Sequence, residues 1–333
     1  LRLRENARAD GLRPVSLNAR PLLRLAGRLA MGLMTLAAAC SREQPPARPA
    51  DVGTHARTPR ISVVETPTQF ENTTPYRANL GNGAELFLPP WFAPRAGRYD
   101  LIVHFHGLGK LQESNLEHTK LDAAVVSVNH GVGTDAYGNA FKDPRAFADL
   151  VAAAEEEIDK STRAHGAKLG RIALSAWSAG FVSISKILND PVNVERIDAV
   201  LLADGFFTSF IDEKKHRMNV TPLEKFARIA DSASRDEKLF AITHSSIPTS
   251  GYPSVTETVA KLLEMTGSAK IPLDTTGPGP MHALYGVDQG SFHVKGYEGV
   301  LAGDHIRQIT SMGETLWPYL KTRWDRPRLD AAK

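Results

Sequence analysis

Short apolar runs, each separated from the next by a helical pattern, set the strongest limit on what this chain can fold into. They cover residues 100–104 (DLIVH), 123–128 (AAVVSV), 171–176 (RIALSA), 197–203 (IDAVLLA) and 238–243 (KLFAIT). A strand with one wet face alternates apolar and polar residues, whereas a strand covered on both faces stays apolar throughout. Helical patterns lie over 144–160, 180–189, 222–233 and 255–265, and a last strand over 291–296 precedes a last helix over 305–324. Residues 60–65 (RISVVE) and 84–88 (AELFL) read as early strands. This alternation predicts an α/β fold, a mostly parallel central sheet with helices on both faces. Residues 206–237, between two sheet strands, have room to form a small cap. The Gly-Pro-Gly-Pro run at 277–280 falls in a long loop, longer than a plain connector. No internal repeat is visible.

The 333 residues are 42% hydrophobic and 23% charged, enough to bury a large core without disulfides. The net charge of +3 misleads, because residues 1–39 hold seven arginines and only two acids. The remainder carries 33 basic against 35 acidic residues, with no clustered basic face for nucleic acid. The single cysteine, Cys40, follows an apolar run over 29–39 that is preceded by Arg20, Arg24 and Arg28 and ends in Ala37-Ala38-Ala39. Charged, apolar and small residues in that order make a secretory signal. The run is too short to span a bilayer as a helix. Small residues directly before a cysteine resemble the lipobox of bacterial lipoproteins, though Leu36 stands one place earlier than the usual Leu and Ala37 takes its position. The resemblance implies that Cys40 is lipidated and that the chain is exported and held to the periplasmic side of the inner or outer membrane. Ser41 is not the Asp that retains such proteins at the inner membrane. Residues 41–60, rich in Pro, Ala and Arg, read as a flexible tether. The expected organisation is a signal over 1–39, lipidated cysteine and tether over 40–59, a folded domain over 60–325 and a tail over 326–333.

The sharpest local motif is Ser175-Ala176-Trp177-Ser178-Ala179-Gly180, between a strand and a helix. A serine at such a turn is held in a strained backbone with its hydroxyl above the sheet. The residues two before and two after must be small, here Ala176 and Gly180, because strand and helix pass close together. The motif resembles the nucleophile elbow of the α/β-hydrolase superfamily, Gly-x-Ser-x-Gly, with Ala in the first small position. After the strand at 100–104, His106-Gly107-Leu108-Gly109 resembles that superfamily's glycine-rich oxyanion loop. The resemblance spans about residues 60–325 and implies that Ser178 is the nucleophile. It also implies that the backbone N–H groups of Leu108 and Ala179, and secondarily Gly107, stabilise the oxyanion, each worth about 3 to 4 kcal/mol. His106, Trp177 and His244 are expected to line the pocket.

The base is sought late in the chain, after the last strand. Gly303-Asp304-His305-Ile306 stands there, directly before the last helix, and makes His305 the candidate; His293 lies inside the strand. For the acid, the strand at 238–243 ends in His244-Ser245-Ser246-Ile247 with no carboxylate, while the preceding strand ends in Ala203-Asp204-Gly205. Asp204 is therefore expected to orient the imidazole, with Asp288 in the late loop as the alternative. The order Ser178, Asp204, His305 matches the superfamily.

The chemistry implied is hydrolysis of a small or acylated ester through an acyl-enzyme, with no cofactor. Two other readings stay open. His104 and His106 form an H-x-H pair that a metallohydrolase could use, although no third ligand stands at zinc-site spacing. A lipoprotein that binds a ligand or partner on the same fold is the non-enzymatic reading. Lys214-Lys215-His216-Arg217 could meet an acidic substrate, but a solvated loop end accounts for it as well.

Overall fold

The structure, a computed structural model, describes residues 74–326. The signal segment, Cys40, the tether, the strand expected at 60–65 and the tail beyond residue 326 lie outside the described residues. The chain order begins β1 (Tyr76–Gly81), β2 (Ala84–Leu88), β3 (Arg98–Phe105), α1 (Gly109–Thr119), β4 (Ala124–Val128), α2 (Thr134–Ala140), α3 (Arg145–Lys160) and β5 (Lys168–Trp177). A 3-10 turn, Ser178–Gly180, leads into α4 (Phe181–Ile187), α5 (Pro191–Arg196), β6 (Ile197–Ala203), β7 (Phe210–Asp212), β8 (Arg217–Met218) and a second 3-10 turn, Thr221–Leu223. Then come α6 (Glu224–Ser234), β9 (Leu239–His244), α7 (Val255–Thr266), β10 (Ile271–Thr276), β11 (His282–Gln289), β12 (Phe292–Tyr297), α8 (Ala302–Thr310), α9 (Met312–Thr315) and α10 (Trp317–Trp324).

Ten strands form one sheet in the order β1-β2-β4-β3-β5-β6-β9-β12-β11-β10. The central run from β4 to β12 is parallel. The β1–β2 hairpin joins one side through an antiparallel β2–β4 pairing, and β11 and β10 extend the other side antiparallel. This is the mostly parallel α/β sheet that the apolar runs predict.

The alternation of side chains along each strand divides the core between two faces. Val103 and Phe105 of β3, Val126 of β4 and Val200 and Leu202 of β6 pack in one layer with Val151 and Ile158 of α3, Ile184 of α4 and Phe226 of α6. Ile102, Val125, Ala199 and Leu201 point the other way and meet Leu116 of α1, Ile309 of α8 and Trp317 and Leu320 of α10. Helices thus cover both faces. Helix α3 shows why the pattern works: Phe147, Val151, Ala154 and Ile158, three or four residues apart, are its buried stripe. Of the region 206–237, only β7 and β8 form a separate two-stranded ribbon, and α6 lies against the main core.

Two expectations are corrected. The Gly-Pro-Gly-Pro run is a hairpin turn between β10 and β11, closed by the Gly277 amide donating to the Met281 carbonyl at 2.7 Å. Strand β10 is an edge strand, almost wholly exposed, so it carries no apolar signal. The last helix is three short helices. Pro318 cannot donate a backbone hydrogen bond, and Gly313 presses against α1, where a Cβ would stand 2.8 Å from the Asn115 carbonyl oxygen.

Candidate active site

Strand β5 delivers Ser178 to the carboxyl edge of the sheet with φ +50°, a left-handed conformation for a non-glycine residue. Close packing on two sides leaves the turn little choice. A Cβ on Gly180 would fall 2.1 Å from the Phe105 carbonyl oxygen, and one on Gly205 would fall 2.6 Å from the Ser178 amide nitrogen. Ala176 is fully buried. These contacts are the physical reason for small residues around the serine.

The neighbouring strand β6 ends in the same way. Asp204 has φ +44°, and its amide donates to the Thr243 carbonyl at 2.7 Å. The buried carboxylate accepts three hydrogen bonds: the Ser245 amide at 3.0 Å on Oδ1, and the Ser245 hydroxyl at 2.6 Å and His305 Nδ1 at 2.8 Å on Oδ2. Ser245, at the end of β9, is the contributor the sequence did not disclose. Its loop carries no carboxylate but supplies the two donors that hold one.

His305 stands in the first turn of α8, inside the helix rather than before it. With Nδ1 donating to Asp204, Nε2 is the ring's basic nitrogen. The turn is tied by Asp304, whose carboxylate accepts the Leu301 amide at 2.9 Å. Trp177 covers the imidazole: the two ring centroids are 4.6 Å apart at 32°, and the indole N–H donates to the His305 carbonyl at 3.0 Å.

After β3 the chain turns sharply through His106 at φ +76° and Gly107 at φ +103°. A Cβ on Gly107 would stand 2.4 Å from Ile309 Cδ1, so the loop lies against α8. Leu108 precedes α1 as its N-cap without a side-chain cap bond, and Ala179 lies in the 3-10 turn that opens α4. The first N–H groups of a helix lack partners within it, so both positions suit an oxyanion donor. His106 stacks on Trp177 at 4.8 Å and 9°, with Nδ1 2.8 Å from the Tyr137 hydroxyl. Burial, then the charge of His305, pushes its pKa down.

The two histidines of the H-x-H pair do not converge. His104 is buried, with Nδ1 at 2.9 Å from the Ser175 hydroxyl and Nε2 at 2.8 Å from the His106 carbonyl. Burial pushes it down to about 3, so it is a neutral structural group. His244 is corrected as well. It lies under the site rather than on a pocket wall, donating from Nδ1 to the Ser245 carbonyl at 2.7 Å and accepting the Tyr285 hydroxyl at 2.6 Å. Burial lowers its pKa too. The alternative acid Asp288 pairs with His293 at 2.6 Å across the β11–β12 ladder, not with His305. Lys214 to Arg217 lie at the exposed turn of the β7–β8 ribbon.

No protein-family model and no curated protein matches the sequence. Solved structures that the chain resembles include three hydrolases. One is a siderophore hydrolase from Aspergillus nidulans, at 14% identity and TM-score 0.43, covering 81% of this chain and 99% of that one. The feruloyl esterase module from Clostridium thermocellum, solved with sinapinate, has 13% identity and TM-score 0.40 over 74% and 88%. A dienelactone hydrolase from Anabaena variabilis has 10% and 0.38 over 74% and 99%.

Proposed function

We propose that this chain is a serine hydrolase of carboxylic esters, working through an acyl-enzyme on Ser178. The observation that carries the reading is the hydrogen bond from His305 Nδ1 to an Asp204 carboxylate already fixed by Ser245, beside a serine in a strained turn. In this reading His305 Nε2 takes the proton of Ser178 as its Oγ attacks the ester carbonyl. The N–H groups of Leu108 and Ala179, with Gly107, receive the oxyanion. His305 then protonates the departing alcohol and activates the water that frees the acid. Asp204 holds the ring in the tautomer that leaves Nε2 unprotonated and stabilises the cation. The test is labelling with a fluorophosphonate probe. The parent should be labelled on Ser178; labelling that survives in Ser178→Ala places the nucleophile elsewhere.

We further propose that the domain is tethered to a membrane through lipid on Cys40, a reading supported by the signal-like order of residues before it. Fractionation of a Gram-negative host expressing the full chain should place the parent with membranes and Cys40→Ala in the soluble fraction. Equal solubility of the two rejects the anchor.

A further inference from the structure

We propose that Trp177 is a positioning residue for the base: its indole N–H fixes the backbone of His305, and its ring face stabilises the imidazolium that His305 becomes. The proposal rests on the serine-hydrolase reading above and gives a role to the residue directly before the nucleophile. Three observations carry it. The indole N–H donates to the His305 carbonyl at 3.0 Å, which anchors the first turn of α8 to the end of β5. The indole and imidazole centroids lie 4.6 Å apart at 32°, within the reach at which an aromatic face attracts a cation. Trp177 is also held by His106, stacked at 4.8 Å and 9° and itself fixed to the Tyr137 hydroxyl at 2.8 Å.

Trp177 thus contacts two rings, His106 of the oxyanion loop and His305, the base. A neutral imidazole gains little from the indole. When the proton leaves Ser178 Oγ for Nε2, the imidazole turns cationic and the attraction switches on. An interaction present in the transition state and absent before it raises kcat with little effect on KM. A wall of the substrate pocket would do the reverse. His106, kept neutral chiefly by burial, does not compete for the indole with a charge of its own.

The experiment separates ring electronics from shape. The full chain is produced with 4-, 5-, 6- and 7-fluorotryptophan and with multiply fluorinated forms. These retain the N–H and nearly the same volume but weaken the negative ring face. Fluorine is also introduced into Trp177→Phe, which reports on the other tryptophans, Trp91, Trp317 and Trp324. Turnover of a short-chain nitrophenyl ester should fall stepwise with fluorination in the parent, at constant KM, and stay flat in Trp177→Phe. Trp177→Leu, which removes ring and N–H together, should lower kcat about threefold to thirtyfold. Trp177→Phe, which keeps an aromatic face but loses the N–H and the five-membered ring, should fall between. A kcat indifferent to fluorination overturns the role of the ring, and a Trp177→Phe variant as fast as the parent overturns that of the N–H. A rise in KM at constant kcat reassigns Trp177 to the pocket wall. If Trp177→Leu does not fold, the fluorinated parent and Trp177→Phe decide. Ser178→Ala is assayed alongside. If it is dead while every Trp177 substitution is silent, the hydrolase reading stands and this inference falls. If it keeps its activity, the hydrolase reading itself has failed.

Discussion

The two ends of the parallel strands are built on opposite terms. At the amino edge, Asp100 on β3 meets Arg171 on β5 at 2.6 Å, and Asp198 on β6 meets Arg323 on α10 at 2.7 Å. Trp324 ties the two pairs together: its carbonyl accepts Arg171 at 2.7 Å, and its indole donates to Asp198 at 2.8 Å. These groups are mutually satisfied and tie β3, β5 and β6 to α10. At the carboxyl edge, β3, β5 and β6 each run into a non-glycine residue in the left-handed region, His106, Ser178 and Asp204. Such conformations cost on the order of 1 to 3 kcal/mol each and persist only where the surroundings enforce them. One edge holds the sheet shut, and the other stores strain around the candidate site. Substitutions at the two edges should therefore move different observables.

The largest expected effect is Ser178→Ala, which should lower ester turnover by about 10⁴ to 10⁶ and leave the thermal midpoint near that of the parent. A comparable loss of stability would break the division between the edges. Asp204→Asn should follow, at about 10⁴ in kcat, because the amide can hold the wrong tautomer of His305. Asp288→Asn, on the exposed ladder, should behave as the parent in the same assay. An inactive, folded Asp288→Asn beside an active Asp204→Asn would move the acid to the late hairpin. At the other edge, Arg171→Ala should destabilise by about 3 kcal/mol, as expected when one member of a mostly buried ion pair is removed. Chemical denaturation measures this, and kcat of the folded fraction should not change.

A further effect is one of pH. His104 titrates at about 3 in the folded chain because burial disfavours its charged form, against about 6.5 when exposed. Between those values the unfolded chain binds a proton that the folded chain refuses, so stability is full above pH of about 6.5 and falls as the pH drops toward 3. Unfolding midpoints measured across that range should decline less steeply in His104→Gln than in the parent. Equal slopes would remove His104 from the acid response of the carboxyl edge.

How much of this was legible follows from burial. Strands β2 and β6 have the same limits in sequence and structure, and β3, β4, β5 and β9 differ by a few residues at most, because strands covered on both faces leave continuous apolar runs. The edge strands β1 and β10, and β11 next to β10, leave no such trace; β1 alternates exposed and half-buried residues. Helix α1 was missed because it buries Gln112, Asn115 and Thr119 beside Leu116, so its inner face looks polar. In the candidate site, His305 and Asp204 were singled out by their places after strands, and the structure brings their side chains together. Ser245 was not, since a serine that donates to a carboxylate looks like any serine until the loops meet. His244 was assigned to the pocket as well, but its place is decided by its contact with the Tyr285 hydroxyl, 41 residues on, which no local pattern reports.

The placement of β12 has a consequence in time. It docks parallel to β9, with the β10–β11 hairpin looped out to the far side, and only then does α8 bring His305 over Asp204 across 101 residues of chain. A chain synthesised from its amino end thus carries an elbow without a base until nearly the whole domain has emerged. The proposed activity arrives in one step, at the close of folding, and the appearance of turnover in a refolding experiment would clock the docking of α8.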